Sequence, residues 1–355
     1  MTEGYSDPLP SPPTDGISSL TFSHFSTQSQ TNILLASSWD GTVRQYAPGD
    51  DGMYAPRASQ SAGGSPVLCS AYGVSTRYVY AGTLDGTLQE VDMEKGGSTT
   101  IGNHEKAIST VCSMSSTEEP WSSSLFGCIA SGSWDGSVKL WDVRQPQHCK
   151  PVSEVSLGAK VFGMDWVDHT LMVCTSGRKI HMFDVRKAGD PDSFTISETV
   201  QRESSLKYQT RSCALFPNLE GYAIGSIEGR VGIDYMEDNN VTAAQGKKKY
   251  AFKCHRVDDT VYPVNAVAFH PTYGTFATGG CDGTVVVWDA RLKKRLVALP
   301  RLATSVSALA FSKGADGGSL LAVAQSYTFE EGEKDHPSDQ IFVRSMYDHE
   351  VKSKK

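Results

Sequence analysis

The sequence predicts an all-β fold, a β-propeller of seven blades. Three observations carry the prediction: an acidic-glycine turn recurs along the chain, its period suits a four-stranded unit, and the clear copies open a short alternating strand. The turns are Trp39-Asp40-Gly41, Leu84-Asp85-Gly86, Trp134-Asp135-Gly136, the degenerate Thr175-Ser176-Gly177, Ile227-Glu228-Gly229 and Cys281-Asp282-Gly283. Their glycines are 45, 50, 41, 52 and 54 residues apart, the period of repeats that stack or ring.

Taken in order, residues 1–15 are an N-terminal segment rich in proline (Pro8, Pro10, Pro12, Pro13). A ring built from one chain leaves an unpaired strand edge where its ends meet, so a short strand within residues 3–9 is expected to complete the last blade. Residues 16–345 hold the single propeller. In each Asp-Gly turn, glycine supplies positive φ and aspartate bonds its own backbone, which makes a tight hairpin. Short strands follow, as in Ser137-Val138-Lys139-Leu140-Trp141 and Thr284-Val285-Val286-Val287-Trp288. A seventh unit is assembled from 306–311, 320–324 and 341–343, with an acidic loop where its turn should be. Residues 346–355 are read as a basic tail ending Lys352-Ser353-Lys354-Lys355.

Composition narrows the function. A hydrophobic content of 39% supports a core, and the eight cysteines never come closer than 16 residues to one another, which excludes a Cys-x-x-Cys zinc site and suits reduced, buried thiols. Neither an apolar signal core nor an 18-residue apolar run occurs, so a soluble, non-secreted chain with no membrane contact is expected. The net charge of -7 argues against direct nucleic-acid binding, which needs a positive field. Within 202–256, however, nine basic residues face six acidic ones. No phosphate loop, nucleophile elbow or metal-binding helix is present, so no catalytic residue, metal or cofactor is assigned. Propellers do host enzymes near their channels, which leaves that alternative at a lower rank.

The residues that remain suggest binding. Trp39 and Trp134 immediately precede Asp-Gly turns, where a side chain either projects from one face of the disc or packs across the neighbouring turn. Two large aromatics on one rim suit a bound peptide. Arg230 directly follows the fifth turn, and Lys247-Lys248-Lys249 precedes Tyr250. These cations are either a solvated flank or a site in which a guanidinium fork and ammonium groups converge on a phosphorylated side chain.

The third and sixth units, with His104, Ser131, Asp135 and Trp141 in one and His255, Thr278, Asp282 and Trp288 in the other, resemble WD repeats. That resemblance implies two buried hydrogen-bonded tetrads rather than nucleophilic triads. A narrower resemblance is carried by Arg202-Glu203-Ser204-Ser205-Leu206-Lys207-Tyr208-Gln209-Thr210-Arg211 together with 225–231, 248–256 and 262–267. These stretches resemble the family shared by the Bub-type mitotic-checkpoint propeller and the nuclear-pore mRNA-export propeller of the Rae/Gle type. Asp15-Gly16-Ile17-Ser18-Ser19-Leu20, Lys248-Lys249-Tyr250-Ala251-Phe252 and Lys293-Lys294-Arg295-Leu296 resemble the checkpoint branch.

The resemblance implies a non-enzymatic adaptor of the spindle-assembly checkpoint, nuclear and at kinetochores in mitosis. Its top face would bind the GLEBS motif of a Bub-family checkpoint kinase and of a Mad-type pseudokinase through Trp39, Trp134, Lys207, Tyr208 and Arg211. It would read phosphorylated Met-Glu-Leu-Thr repeats of the kinetochore scaffold through Arg230, Lys248 and Lys249. It would act indirectly on the anaphase-promoting complex, as a monomer within heteromeric complexes. The alternatives are the export propeller and, from another class, a ubiquitin-ligase substrate receptor.

Overall fold

The computed structural model describes residues 4–24, 31–115, 125, 127–144, 150–187, 194–236, 249–313 and 318–353. Seven antiparallel sheets follow one another along the chain. Blade 1 comprises β1 (Ile17–His24), β2 (Thr31–Ser38), β3 (Thr42–Pro48) and β4 (Tyr54–Ser61). Blade 2 comprises β5 (Val67–Tyr72), β6 (Tyr78–Thr83), β7 (Thr87–Asp92) and β8 (Ser98–Asn103). Blade 3 comprises β9 (Ile108–Ser113), β10 (Cys128–Ser133), β11 (Ser137–Asp142) and β12 (Ser153–Ser156). Blade 4 comprises β13 (Val161–Val167), β14 (Thr170–Thr175), β15 (Lys179–Lys187) and β16 (Phe194–Glu203). Blade 5 comprises β17 (Thr210–Leu215), β18 (Gly221–Ser226), β19 (Arg230–Tyr235) and β20 (Tyr250–Lys253). A small hairpin, β21 (Arg256–Val257) and β22 (Thr260–Val261), precedes blade 6, which holds β23 (Val264–Phe269), β24 (Phe276–Gly280), β25 (Val285–Asp289) and β26 (Lys294–Ala298). Blade 7 has three strands, β27 (Val306–Lys313), β28 (Ser319–Gln325) and β29 (Gln340–Met346).

Packing between blades closes the ring. Each of the seven blade interfaces has its own buried apolar cluster. The closing cluster joins Leu20, Phe22, Leu34 and Ala36 of blade 1 to Ala308, Ala310, Ile341 and Val343 of blade 7. Second strands such as β10 and β18 are buried at every position because neighbouring blades cover both faces. A glycine in that strand lets the next blade approach. A Cβ on Gly82 would lie 2.5 Å from Ile108, and one on Gly279 would lie 2.5 Å from Val306, distances no real side chain tolerates.

Among the described residues the expected closing strand is not formed. The order in blade 7 is β27-β28-β29, and residues 4–9 run beside β29 as an irregular arm. The Leu9 amide donates to the Ile341 carbonyl (2.7 Å) and Ser6 Oγ donates to the Val343 carbonyl (2.7 Å). Pro8, Pro10, Pro12 and Pro13 lack amide protons and cannot complete a ladder. The arm instead holds by side chains, with Leu9 buried in the closing cluster and the Tyr5 ring 5.2 Å from Phe342.

The C-terminal residues are also more than a tail. A one-turn helix, α1 (Asp348–Val351), buries Glu350 and Val351. Arg344 on β29 pairs with Glu350 at 2.9 Å, both side chains almost fully enclosed. Thr275 Oγ1 donates to the Val351 carbonyl at 2.6 Å, tying the helix to blade 6.

Candidate functional site

The Asp-Gly turns form as their chemistry requires. At Gly136 φ is +89°, and Asp135 Oδ1 accepts from the Ser137 amide (2.7 Å) and hydroxyl (2.6 Å). In the same blade Trp141 Nε1 donates to Ser131 Oγ (2.8 Å), and Ser131 Oγ lies 2.7 Å from His104 Nε2. His104 Nδ1 meets Ser137 Oγ at 2.7 Å, so Ser137 relays the imidazole to Asp135. Burial lowers the His104 imidazole to about 4, which keeps it neutral. In blade 6, Trp288 Nε1 donates to Thr278 Oγ1 (2.9 Å), which contacts His255 Nε2 (2.8 Å), and His255 Nδ1 meets Asp282 Oδ1 directly at 2.9 Å. Its hydrogen bonds with His255 and Thr284 hold the Asp282 carboxyl below the usual range despite burial. Both sets are buried ties between turn and blade, with Ser131 and Thr278 fully enclosed.

A cavity of about 800 Å³ opens at the mouth of the channel, lined by Trp39, Trp134 and Arg211. Its construction is regular. Each inner strand carries a register shift near its start, skipping one residue per blade. The skipped residues are Ser18, Leu68, Ser109, Phe162, Arg211, Asn265 and Ser307, and all seven line the cavity. A β-bulge re-aims a side chain that the ladder would otherwise hold, so seven bulges make a ring of seven selected side chains. Arg211 is the one cation among them. Its Nε donates to Asn265 Oδ1 of the next blade at 3.3 Å.

Trp39 is 43% exposed and Trp134 half-buried. Trp39 packs over Gly16, where a Cβ would sit 3.4 Å from the indole. Of the equivalent turn positions, Leu84 and Ile227 are exposed, whereas Cys281 is buried against Asn265. Lys207 and Tyr208 are both exposed and precede Gln209, Thr210 and Arg211, but they lie outside the cavity wall.

Arg230 stands at the same end of blade 5 as Arg211, two strands further out, roughly 10 Å at the usual strand spacing. Its Nε lies 3.5 Å from Glu228 Oε2. Arg230 pairs with Lys253, and Ile233 with Tyr250, which puts Lys249 just before the start of β20, four residues from Lys253 and roughly 13 Å along the backbone from the Arg230 position. Lys248 lies outside the described residues. Arg256 Nη2 donates to the Glu228 carbonyl (2.9 Å), so among the described residues Lys253 and Arg256 are cations close to the fifth turn and Arg230. Lys253, Asn265 and Phe162 escaped sequence reasoning. The signal for the latter two was available, since each directly follows the buried valine near the start of its inner strand.

Among the described residues no group of three His, Cys, Asp or Glu side chains is placed to hold a metal. Among the same residues no helix is long and apolar enough to cross a membrane.

The WD domain, G-beta repeat family matches residues 8–46, 98–142 and 246–289. Over its length the chain is 40% identical to the mitotic checkpoint protein BUB3.1 of Arabidopsis thaliana, covering 98% of this chain and 94% of that one. It is 38% identical to the mitotic checkpoint protein bub3 of Dictyostelium discoideum, covering 96% and 94%. Identity to a poly(A)+ RNA export protein of Schizosaccharomyces pombe is 34%, covering 90% and 84%. With seven blades, WD repeats matched in three stretches and this likeness along nearly the whole chain, the protein belongs to the family of Bub3-type WD-repeat propellers.

Proposed function

We propose that the protein is a spindle-checkpoint adaptor whose top face docks an extended partner segment at the channel mouth and a phosphorylated segment further out on blade 5. The observation that carries this reading is the placing of Arg211, the one charged side chain in the bulge ring, in a cavity walled by Trp39 and Trp134. An exposed guanidinium between aromatic walls suits a carboxylate on a segment whose apolar side chains cover the indoles. The segment is the GLEBS motif of the checkpoint kinase and its pseudokinase relative. Lys207 and Tyr208 extend the contact beyond the cavity.

The second ligand is the phosphorylated Met-Glu-Leu-Thr repeat of the kinetochore scaffold. Arg230 and its cross-strand neighbour Lys253 supply a fork and a point charge on one face of the ladder. A phosphate of charge about -1.5 to -2 gains there what an unmodified threonine cannot. Binding of both ligands brings checkpoint proteins to kinetochores and thereby restrains the anaphase-promoting complex. The adaptor has no catalytic step, and it works in the nucleus and at mitotic kinetochores.

The test is titration of a GLEBS peptide and of phosphorylated and unphosphorylated Met-Glu-Leu-Thr peptides against the wild type, Arg211→Glu and Arg230→Ala. Arg211→Glu should abolish GLEBS binding, and Arg230→Ala should remove the preference for phosphate. Equal binding of the two Met-Glu-Leu-Thr peptides by the wild type would refute phosphate reading. The 34% identity to an RNA export protein favours a second reading, in which the segment comes from a nucleoporin. Recovery of a nucleoporin and no checkpoint kinase in a pull-down would establish it instead.

A further inference from the structure

Between β28 and β29, residues 326–339 replace the short turn of the other blades with a long loop. Tyr327 organises it. The Tyr327 ring lies 5.2 Å from Phe329 and from His336, with Lys334 Nζ 4.8 Å above it. Tyr327 OH donates to the Gly332 carbonyl (2.9 Å) and accepts from the Glu331 amide (3.1 Å). Phe329 is held at φ +56° and is 55% exposed. A bulky residue in that region costs about 1 kcal/mol or more and persists where its surroundings impose it. Together Tyr327, Thr328 and Phe329 form one wall of the cavity that contains Arg211.

The loop is also bonded to that arginine. Arg211 Nε donates to Asn265 Oδ1, and Asn265 Nδ2 reaches the Val306 carbonyl (3.0 Å) and Thr328 Oγ1 (3.5 Å). Thr328 Oγ1 donates to Glu330 Oε2 at 2.7 Å, and Ser305 Oγ donates to Glu330 Oε1 at 2.7 Å. Asn265 therefore sets the guanidinium and the loop in one frame. The charges across the cavity are opposite. The loop carries Glu330, Glu331, Glu333, Asp335 and Asp339 against Lys334 alone, and Asp15 lies on the same side.

We propose that the blade-7 loop is the specificity-determining half of the Arg211 site, with Asn265 as the residue that positions the two halves. The occupant is an extended partner segment of fixed polarity: an acidic side chain on Arg211, an apolar side chain against Phe329 a few residues away, and Lys or Arg where the segment leaves over blade 7. An acidic residue at that exit would face the loop's carboxylates, so the loop fixes the direction in which the segment lies. This rests on the proposed docking of a GLEBS segment at the channel mouth.

The probe is a fluorescein-labelled GLEBS peptide of the checkpoint kinase, titrated by anisotropy against the full chain. Phe329→Ser, at a side chain 55% exposed, should weaken binding about tenfold or more, as loss of an aromatic anchor does, with Tm measured alongside to separate lost contact from lost folding. Glu333→Lys combined with Asp335→Lys should weaken it severalfold at low ionic strength and little at high salt. Asn265→Ala should weaken the parent peptide yet leave unchanged a peptide whose Arg211-facing acid is glutamine, an outcome that a merely structural role does not produce. If Arg211→Glu abolishes binding while Phe329→Ser and the charge reversal leave it within about twofold of wild type, the loop proposal is overturned and the docking reading stands. If the wild type does not bind the peptide, both fall.

Discussion

Arg230 and Lys253 face each other across the β19–β20 ladder, and Lys249 stands four residues from Lys253, just before β20 begins. Charge-assisted hydrogen bonds contribute about 1.5–3 kcal/mol each, or roughly tenfold to a hundredfold in affinity. Arg230→Ala and Lys253→Ala should each weaken binding of the phosphorylated Met-Glu-Leu-Thr peptide by that factor in calorimetric titration. Lys249→Ala should change it by about twofold at most. An effect of Lys249→Ala as large as that of Lys253→Ala would show that the strand register does not set the phosphate site.

The buried tetrad of blade 3 makes stability depend on pH. Burial lowers His104 from 6.5 to about 4, so between those values the unfolded chain binds a proton that the folded chain does not. The contribution is complete above pH 6.5 and is lost as pH falls towards 4, about 2 kcal/mol between pH 7 and pH 5. His270, also lowered to about 4 by burial, acts in the same window. Asp165, raised to about 6 by burial, acts in the opposite sense. Chemical denaturation of wild type and His104→Gln at pH 7 and pH 5 isolates the imidazole. The variant should lose about 2 kcal/mol less on acidification, and parallel losses would contradict a neutral buried His104.

The N-terminal arm covers the edge of blade 7 chiefly through Leu9, which is 6% exposed among Ile341, Val343 and their neighbours. Leu9→Ala should cost about 2 kcal/mol or more in equilibrium unfolding. Removal of residues 1–10 should in addition uncover the edge of β29, and self-association should be visible by sedimentation. A truncated protein with unchanged Tm that remains monomeric would mean that the arm is dispensable for closure.

The Arg344–Glu350 pair offers a test of how the C-terminal helix is held. Glu350→Ala leaves a buried guanidinium without its carboxylate and should destabilise by about 3–5 kcal/mol. The double change Arg344→Met with Glu350→Leu should recover most of that loss, since apolar residues of similar volume often replace a buried pair without penalty. Equal instability of single and double variants would place the cost in the helix docking itself rather than in the charge.

Much of the fold is legible in the sequence because its signals are local. Asp135, Gly136 and Ser137 close a turn through bonds spanning two residues, and such turns recur at a blade's period. The tetrad was implied by the resemblance to WD repeats, since its partners lie 27 and 33 residues from His104. The closing strand was not legible, because the edge it was to fill is occupied by a segment whose prolines permit covering but not pairing.

The channel mouth lies between these extremes. By itself the sequence determined the ring, its turns and the cationic character of blade 5, while the buried ties, which join His104 to Ser131 and Ser137 across 27 and 33 residues, were implied by the resemblance to WD repeats. Only the tertiary structure decided which side chains meet. Bulges on seven inner strands, some 50 residues apart in the chain, turn Phe162, Arg211 and Asn265 towards one cavity. The pairing of Arg230 with Lys253 depends on a strand register that the segment 237–248, intervening between β19 and β20, leaves open in the sequence. Packing of Phe252 against Trp288 of the next blade, 4.6 Å between ring centroids, holds that strand in place.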